Sequence, residues 1–166
     1  METILINVIE ISLMISLIYG VLKYWSWRFK KKNIDTNNKV FGLFMFFQII
    51  TLLIMISSAI DIQNQSYIEQ MDLFGDNSIS IWSIYGIQTF GIVFLYMIAN
   101  ILSITLTKIT YATKSDLFEE IKNANYSILL TSSILTISFG FVTSNYILKP
   151  ILLNWLTQNV SLIPIH

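Results

Sequence analysis

The chain has 166 residues, of which 54 % are hydrophobic and 12 % charged, with a formal net charge of zero and a mean hydropathy of +0.65. A soluble domain carries about 25 % charged residues. Half that share leaves too little polar surface to cover a globule of this size, which excludes a soluble enzyme, a nucleic-acid binder and a disordered tail. The chain has no cysteine, so disulfides, thiolate chemistry and cysteine-based metal sites are absent. Its one histidine, His166, cannot build a histidine-rich metal site by itself. No catalytic residue, metal or cofactor is expected, and no phosphate loop, nucleophile elbow or zinc helix occurs.

Crossing a hydrocarbon core of roughly 30 Å takes about 20 apolar residues in a helix. Four stretches meet that requirement in chain order. Thr3 to Leu22 carries one charge, Glu10. It follows Met1-Glu2 with no basic lead and no small-residue cleavage site after it, and so reads as a retained helix rather than a secretory signal. Val40 to Ile60 carries no charge. Ile81 to Thr107 forms the core of a longer uncharged run from Asn77, and Tyr126 to Leu148 forms the core of another from Asn123. None shows the ten-residue alternation of an outer-membrane barrel strand. The fold expected is all-α: an integral-membrane four-helix bundle built from two tandem transmembrane hairpins. Residues 1–62 make the first hairpin and 63–80 an outer acidic loop with an interfacial helix. Residues 81–148 make the second hairpin, and 149–166 an outer apolar tail.

Nine of the ten basic residues fall in two segments, Lys23 to Lys39 and Lys108 to Lys122. The loop between the second and third spans holds Asp61, Glu69, Asp72 and Asp76 with no basic residue. The positive-inside rule therefore places both basic segments in the cytoplasm and both termini outside. Tyr24, Trp25, Trp27 and Tyr111 then fall at the inner interface, and Trp82, Tyr146 and Trp155 at the outer one. Two short apolar pieces on the outer side have helical spacing: Tyr67, Ile68, Met71 and Phe74, and Ile151, Leu152, Trp155 and Leu156 after Pro150. They read as interfacial helices or docking surfaces.

A shift of 87 positions lays Ile34-Asp35-Thr36-Asn37-Asn38 on Ile121-Lys122-Asn123-Ala124-Asn125, which points to an internal repeat of two hairpins with a pseudo-twofold axis along the membrane normal. The run Glu119-Glu120-Ile121-Lys122-Asn123-Ala124-Asn125-Tyr126-Ser127, opening a transmembrane helix, resembles the signature of the domain-of-unknown-function 350 family. Those small bacterial inner-membrane proteins are two tandem helix hairpins, each with an acidic-Ile-x-x-Gly-Asn-x-Ala opening to its second helix. The resemblance covers about residues 4–148. Ala124 stands where the family has glycine, Ser127 where it has alanine, and the first copy keeps Ile34 and Asn38. The resemblance implies the hairpin architecture and a bacterial inner membrane, with ion conduction or envelope stress as conjectured roles. Asn38 and Asn125 also make sense without it, as N-caps of the second helix of each hairpin.

The polar residues inside the spans are the candidates for function. Glu10 lies roughly 10 Å by helical rise from the outer end of its helix. It could pair with Lys149, line a path for ions, or reach toward the surface. Gln48 and Asn100 sit well inside their spans, where side-chain amides commonly hydrogen-bond between helices. In the fourth span, Ser133, Thr136, Gly140 and Thr143 share one narrow face, a small-residue stripe suited to close helix packing. Thr131, Ser138 and Asn145 form a second polar line. The cluster Arg28, Lys30, Lys31 and Lys32 reads as contact with anionic lipid rather than nucleic acid. Two functions follow. One is a self-assembling or accessory subunit of a bacterial membrane complex, homo-oligomeric or heteromeric, without catalysis of its own. The alternative is an oligomeric pore with Glu10, Asn100 and the fourth-span hydroxyls along the path.

Overall fold

The structure is a computed structural model; it describes the backbone of residues 2–35, 39–74, 78–111 and 116–160, and the side chains of residues 8, 11–35, 39–60, 86–111 and 116–154. The elements are α1 (Glu2–Lys31), α2 (Lys39–Phe74), α3 (Ser78–Tyr111), α4 (Leu117–Lys122), α5 (Tyr126–Thr143), a π-helical turn (Ser144–Leu148) and α6 (Lys149–Val160). Among the described residues there is no strand. Among the described residues, three helical stretches are long and apolar enough to cross a membrane: Lys39–Ile60, Gly86–Tyr111 and Tyr126–Asn154. The sequence predicts four. The remaining one, Thr3 to Leu22, runs through the first turns of α1, where most side chains up to Glu10 lie outside the described residues.

The helices are longer than the spans read from the sequence. α2 has 36 residues, about 54 Å by helical rise, well beyond a hydrocarbon core of about 30 Å. Tyr67, Ile68, Met71 and Phe74 therefore continue α2 along the backbone rather than forming a separate interfacial helix within a loop. Only residues 75–77 separate α2 from α3 along the described backbone. The apolar segment after Pro150 likewise continues the last span. The chain is helical without a break from Tyr126 to Val160.

Pro150 explains the turn that precedes it. In an α-helix its ring would meet the carbonyl four residues back, and it has no N–H to donate. The backbone widens to π geometry over Ser144–Leu148, and the Lys149 N–H donates to the Ser144 carbonyl five residues earlier. A widened turn absorbs the proline without ending the helix.

α1 ends in a Schellman motif. The Ile34 N–H donates to the Phe29 carbonyl (3.1 Å) and the Asn33 N–H to the Lys30 carbonyl (3.0 Å), with Asn33 at φ 53. Asparagine is among the few residues that occupy this left-handed region readily. α4 ends the same way. The Asn125 N–H donates to the Glu120 carbonyl (2.9 Å), the Ala124 N–H to the Ile121 carbonyl (3.1 Å), and Ala124 sits at φ 55.

α5 lies between α2 and α3 and packs on both. Two glycines let helices approach closely. A Cβ on Gly140 would stand 2.6 Å from Thr51 Cγ2 of α2, and one on Gly91 of α3 would stand 2.8 Å from Leu148 Cδ1. Two buried apolar clusters result. One, at the basic end, includes Trp25, Phe29, Phe41, Phe44, Phe118 and Ile121. The other includes Leu52, Met55, Ile92, Leu95 and Leu148. Edge-on ring pairs tie the first cluster: Phe29 with Phe41 at 4.8 Å, Trp25 with Phe44 at 4.9 Å and Phe29 with Phe118 at 5.1 Å between centroids. Each such pair is worth about 0.5–1.5 kcal/mol beyond its buried area.

α4 has six residues, too few to persist alone. It holds because Leu117, Phe118 and Ile121 are buried in that aromatic cluster. Its N-cap, Asp116, makes no side-chain cap bond; its carboxylate instead meets Lys32 at 3.4 Å and Lys108 at 3.9 Å. The two basic segments are thus joined at one end of the molecule.

Candidate intramembrane polar site

Between the two clusters lies a polar layer. Along α2, Gln48 and Thr51 come between Met45 of the first cluster and Leu52 of the second. Gln48 is 1 % exposed and Asn100 5 %. The Tyr96 hydroxyl donates to Gln48 Oε1 at 2.5 Å and accepts from Trp25 Nε1–H at 2.8 Å. One phenol oxygen therefore ties α1, α2 and α3 together. Asn100 Nδ2 donates to the Tyr96 carbonyl of its own helix at 2.9 Å. A buried amide or indole N–H without a partner costs about 1–3 kcal/mol, so this chain stabilises chiefly by leaving none of these groups stranded.

Trp25 is turned into the bundle: it is 4 % exposed, bonded to Tyr96 and packed edge-on against Phe44. Trp27 and Tyr111 are exposed, and Tyr24 is half-buried. Tyr111 is near enough to α5 for its hydroxyl to pair with Thr131 Oγ1 at 2.8 Å.

A second polar cluster joins α3 to α5. Ser103 Oγ donates to the Ser132 carbonyl, Thr136 Oγ1 lies 2.8 Å from both Ser103 Oγ and the Ser132 carbonyl, and Thr107 Oγ1 donates to the Ser103 carbonyl at 2.8 Å. Ser133, Thr136, Gly140 and Thr143 are all buried. The stripe serves more than one neighbour, since Thr136 meets α3 while Gly140 meets α2. Thr143 Oγ1 bonds the Phe139 carbonyl of its own helix at 2.7 Å. Among the described residues, the buried hydroxyls of Ser133 and Ser144 find no hydrogen-bond partner.

The second polar line of the last span does not act as a unit. Thr131 is taken up by Tyr111, Asn145 Nδ2 donates to the Phe141 carbonyl of its own helix at 2.9 Å, and Ser138 is exposed. Asn125 is the N-cap of α5. Its Oδ1 accepts from the Ile128 N–H at 3.4 Å and its Nδ2 donates to Glu120 Oε2 at 2.9 Å. Asn38 and the side chain of Glu10 lie outside the described residues. Of the basic cluster, Lys32 is paired with Asp116, the Arg28 guanidinium stands 5.3 Å from the Phe118 ring centroid, and Lys31 Nζ stands 5.4 Å from that of Trp27. Lys30 is exposed.

Two features of the site escape sequence reasoning. Tyr96 reads as one more apolar residue of its span, although a phenol at that depth needs a hydrogen-bond partner. α4 hides inside a basic segment; its signal is the apolar triplet Leu117, Phe118 and Ile121. The class these observations define is, among the described residues, an all-helical chain with three helices apolar enough for a membrane and polar side chains used between them. No protein-family model, curated protein or solved structure matches the chain.

Proposed function

We propose that the chain is a small polytopic membrane protein with four transmembrane helices. In this reading it acts as a self-assembling or accessory subunit of a bacterial inner-membrane complex, without catalysis of its own. The observation that carries this reading is where the deep polar groups go. Gln48 is bonded to Tyr96 of a neighbouring helix, Asn100 to its own helix, and Ser103 and Thr136 to each other. A conducting path needs polar groups turned toward a shared axis, whereas these serve helix packing within one chain. The fourth helix is the first half of α1, and the basic end, where Lys32 and Lys108 share Asp116, faces the cytoplasm with both termini outside. The resemblance to the domain-of-unknown-function 350 family supports the same architecture. Its motif has glycine where Ala124 occupies left-handed backbone, a position glycine takes without cost.

The test is reconstitution of the purified chain in liposomes, with its stoichiometry measured in detergent. A defined oligomer, or stable capture into a larger membrane complex, with no ion flux is expected. Flux that disappears in Glu10→Ala would overturn the subunit reading in favour of a pore.

A further inference from the structure

The exposed face of α1 changes character along its length. Ile11 and Ile15 are exposed and apolar; Tyr19, Lys23, Trp27 and Lys31 follow at intervals of four, all exposed. Residues four apart are neighbours on a helix surface. Lys23 Nζ lies 5.8 Å from the Tyr19 ring centroid, and Lys31 Nζ 5.4 Å from that of Trp27. The outer surface of α1 is thus a ladder in which an aromatic ring alternates with an ammonium group. From Tyr19 to Lys31 it spans about 18 Å by helical rise and turns about 120° around the axis, starting after the exposed Ile11 and Ile15.

The charges of this end are not equivalent. Lys32 and Lys108 are occupied by Asp116, and Arg28 lies against Phe118 of α4. Lys23 and Lys31 meet only ring faces, which orient an ammonium group without neutralising it. Among the described residues neither makes an ion pair. An aromatic ring beside a cation, just beyond an apolar helix face, fits the headgroup layer. There the ring sits at the interface and the ammonium reaches a phosphate.

We infer that the Tyr19–Lys23–Trp27–Lys31 ladder of α1 is a binding surface for anionic phospholipid, with Lys23 and Lys31 each offering an ammonium group to a headgroup phosphate and Trp27 seated between them. Charge complementarity selects this occupant. Two cations that make no ion pair among the described residues stand about 80° apart around α1, beyond its exposed apolar residues. The inference rests on the reading of the chain as a membrane protein. It separates Lys23 and Lys31 from Lys32, which the bare sequence groups with Lys31 in one basic run.

The experiment is native mass spectrometry of the full chain in detergent micelles, titrated in separate arms with phosphatidylglycerol, phosphatidylcholine and inorganic phosphate. Phosphatidylglycerol should be retained in preference to phosphatidylcholine, and inorganic phosphate should neither bind nor displace it. Lys23→Gln and Lys31→Gln should each weaken retention about five-fold, and the double variant roughly 30-fold, in line with the usual contribution of a basic residue at an anionic surface. Lys32→Gln should leave retention unchanged, and Lys23→Arg with Lys31→Arg should preserve it. Equal retention of the two lipids, unchanged retention in the double glutamine variant with native helix content, equal loss in Lys32→Gln, or competition by inorganic phosphate would overturn the inference. A chain that is not recovered in the membrane fraction would instead overturn the membrane reading beneath it.

Discussion

Gly140 faces Thr51 of α2 so closely that an added Cβ would stand 2.6 Å from Thr51 Cγ2, whereas nothing lies within 4 Å of a Cβ built on Gly20. Thr51 cannot simply turn away, because it is β-branched and its Oγ1 bonds the Phe47 carbonyl at 3.0 Å. Gly140→Ala should therefore destabilise the bundle by about 1–3 kcal/mol, the usual range for overpacking. Gly20→Ala, a helix-interior substitution into open space, should be neutral or stabilising by up to about 1 kcal/mol. Unfolding of both variants by denaturing detergent would check the contrast. Tyr96 makes a second case. Tyr96→Phe strands Trp25 Nε1–H and Gln48 Oε1 at once and should cost about 1–3 kcal/mol or more. Gln48→Leu in the same background should add less than it does alone, because the two groups share one interaction. A double-mutant cycle measured in the same way gives that coupling.

Among elements, α4 is the one held entirely by its neighbours. Three of its six residues are buried in the aromatic cluster, and its far end turns through a non-glycine residue at φ 55. A left-handed L-residue costs roughly 1–2 kcal/mol, so Ala124→Gly should raise stability by about 1 kcal/mol, less the entropy glycine adds to the unfolded chain. Phe118→Ala should unseat α4. It removes the ring that Phe29 and Arg28 pack on, and protease sensitivity should appear between α3 and α5 while the rest of the chain stays helical. The connection before α5 also differs from the one before α2. α4 stands between α3 and α5, whereas α1 reaches the segment before α2 directly through Asn33 and Ile34. Ile34 and Ile121, aligned in the sequence, are therefore placed differently: Ile34 follows the end of α1, whereas Ile121 lies inside α4.

At the scale of the molecule, the topology is open to labelling. With single cysteines in an otherwise cysteine-free chain, Ser66→Cys should react with an impermeant reagent added outside intact cells, and Thr36→Cys should react only after permeabilisation. Labelling of Thr36→Cys from outside would reverse the orientation. Both basic segments must in any case lie on one side, because Lys32 and Lys108 meet the same carboxylate.

Long uncharged runs and the absence of alternation made an all-helical chain with membrane-length helices legible in the sequence. Those properties depend on the local period of hydrophobicity and on the cost of leaving backbone groups unpaired in lipid. The grouping of basic residues at one end was legible for the same reason, since charge is excluded from apolar spans. The tertiary structure decided what each polar side chain is used for. Gln48 and Asn100 look alike in the sequence, yet one bridges helices through Tyr96 and the other turns back on its own helix. Trp25 and Trp27, two positions apart, lie respectively in the core and on the surface. Lys31 and Lys32, adjacent in the chain, differ in that Lys32 has a carboxylate partner and Lys31 has an aromatic ring. The choice of partner depends on which helix faces meet. Each residue advances about 100° around its helix, so neighbours in sequence face different surroundings once the helices pack.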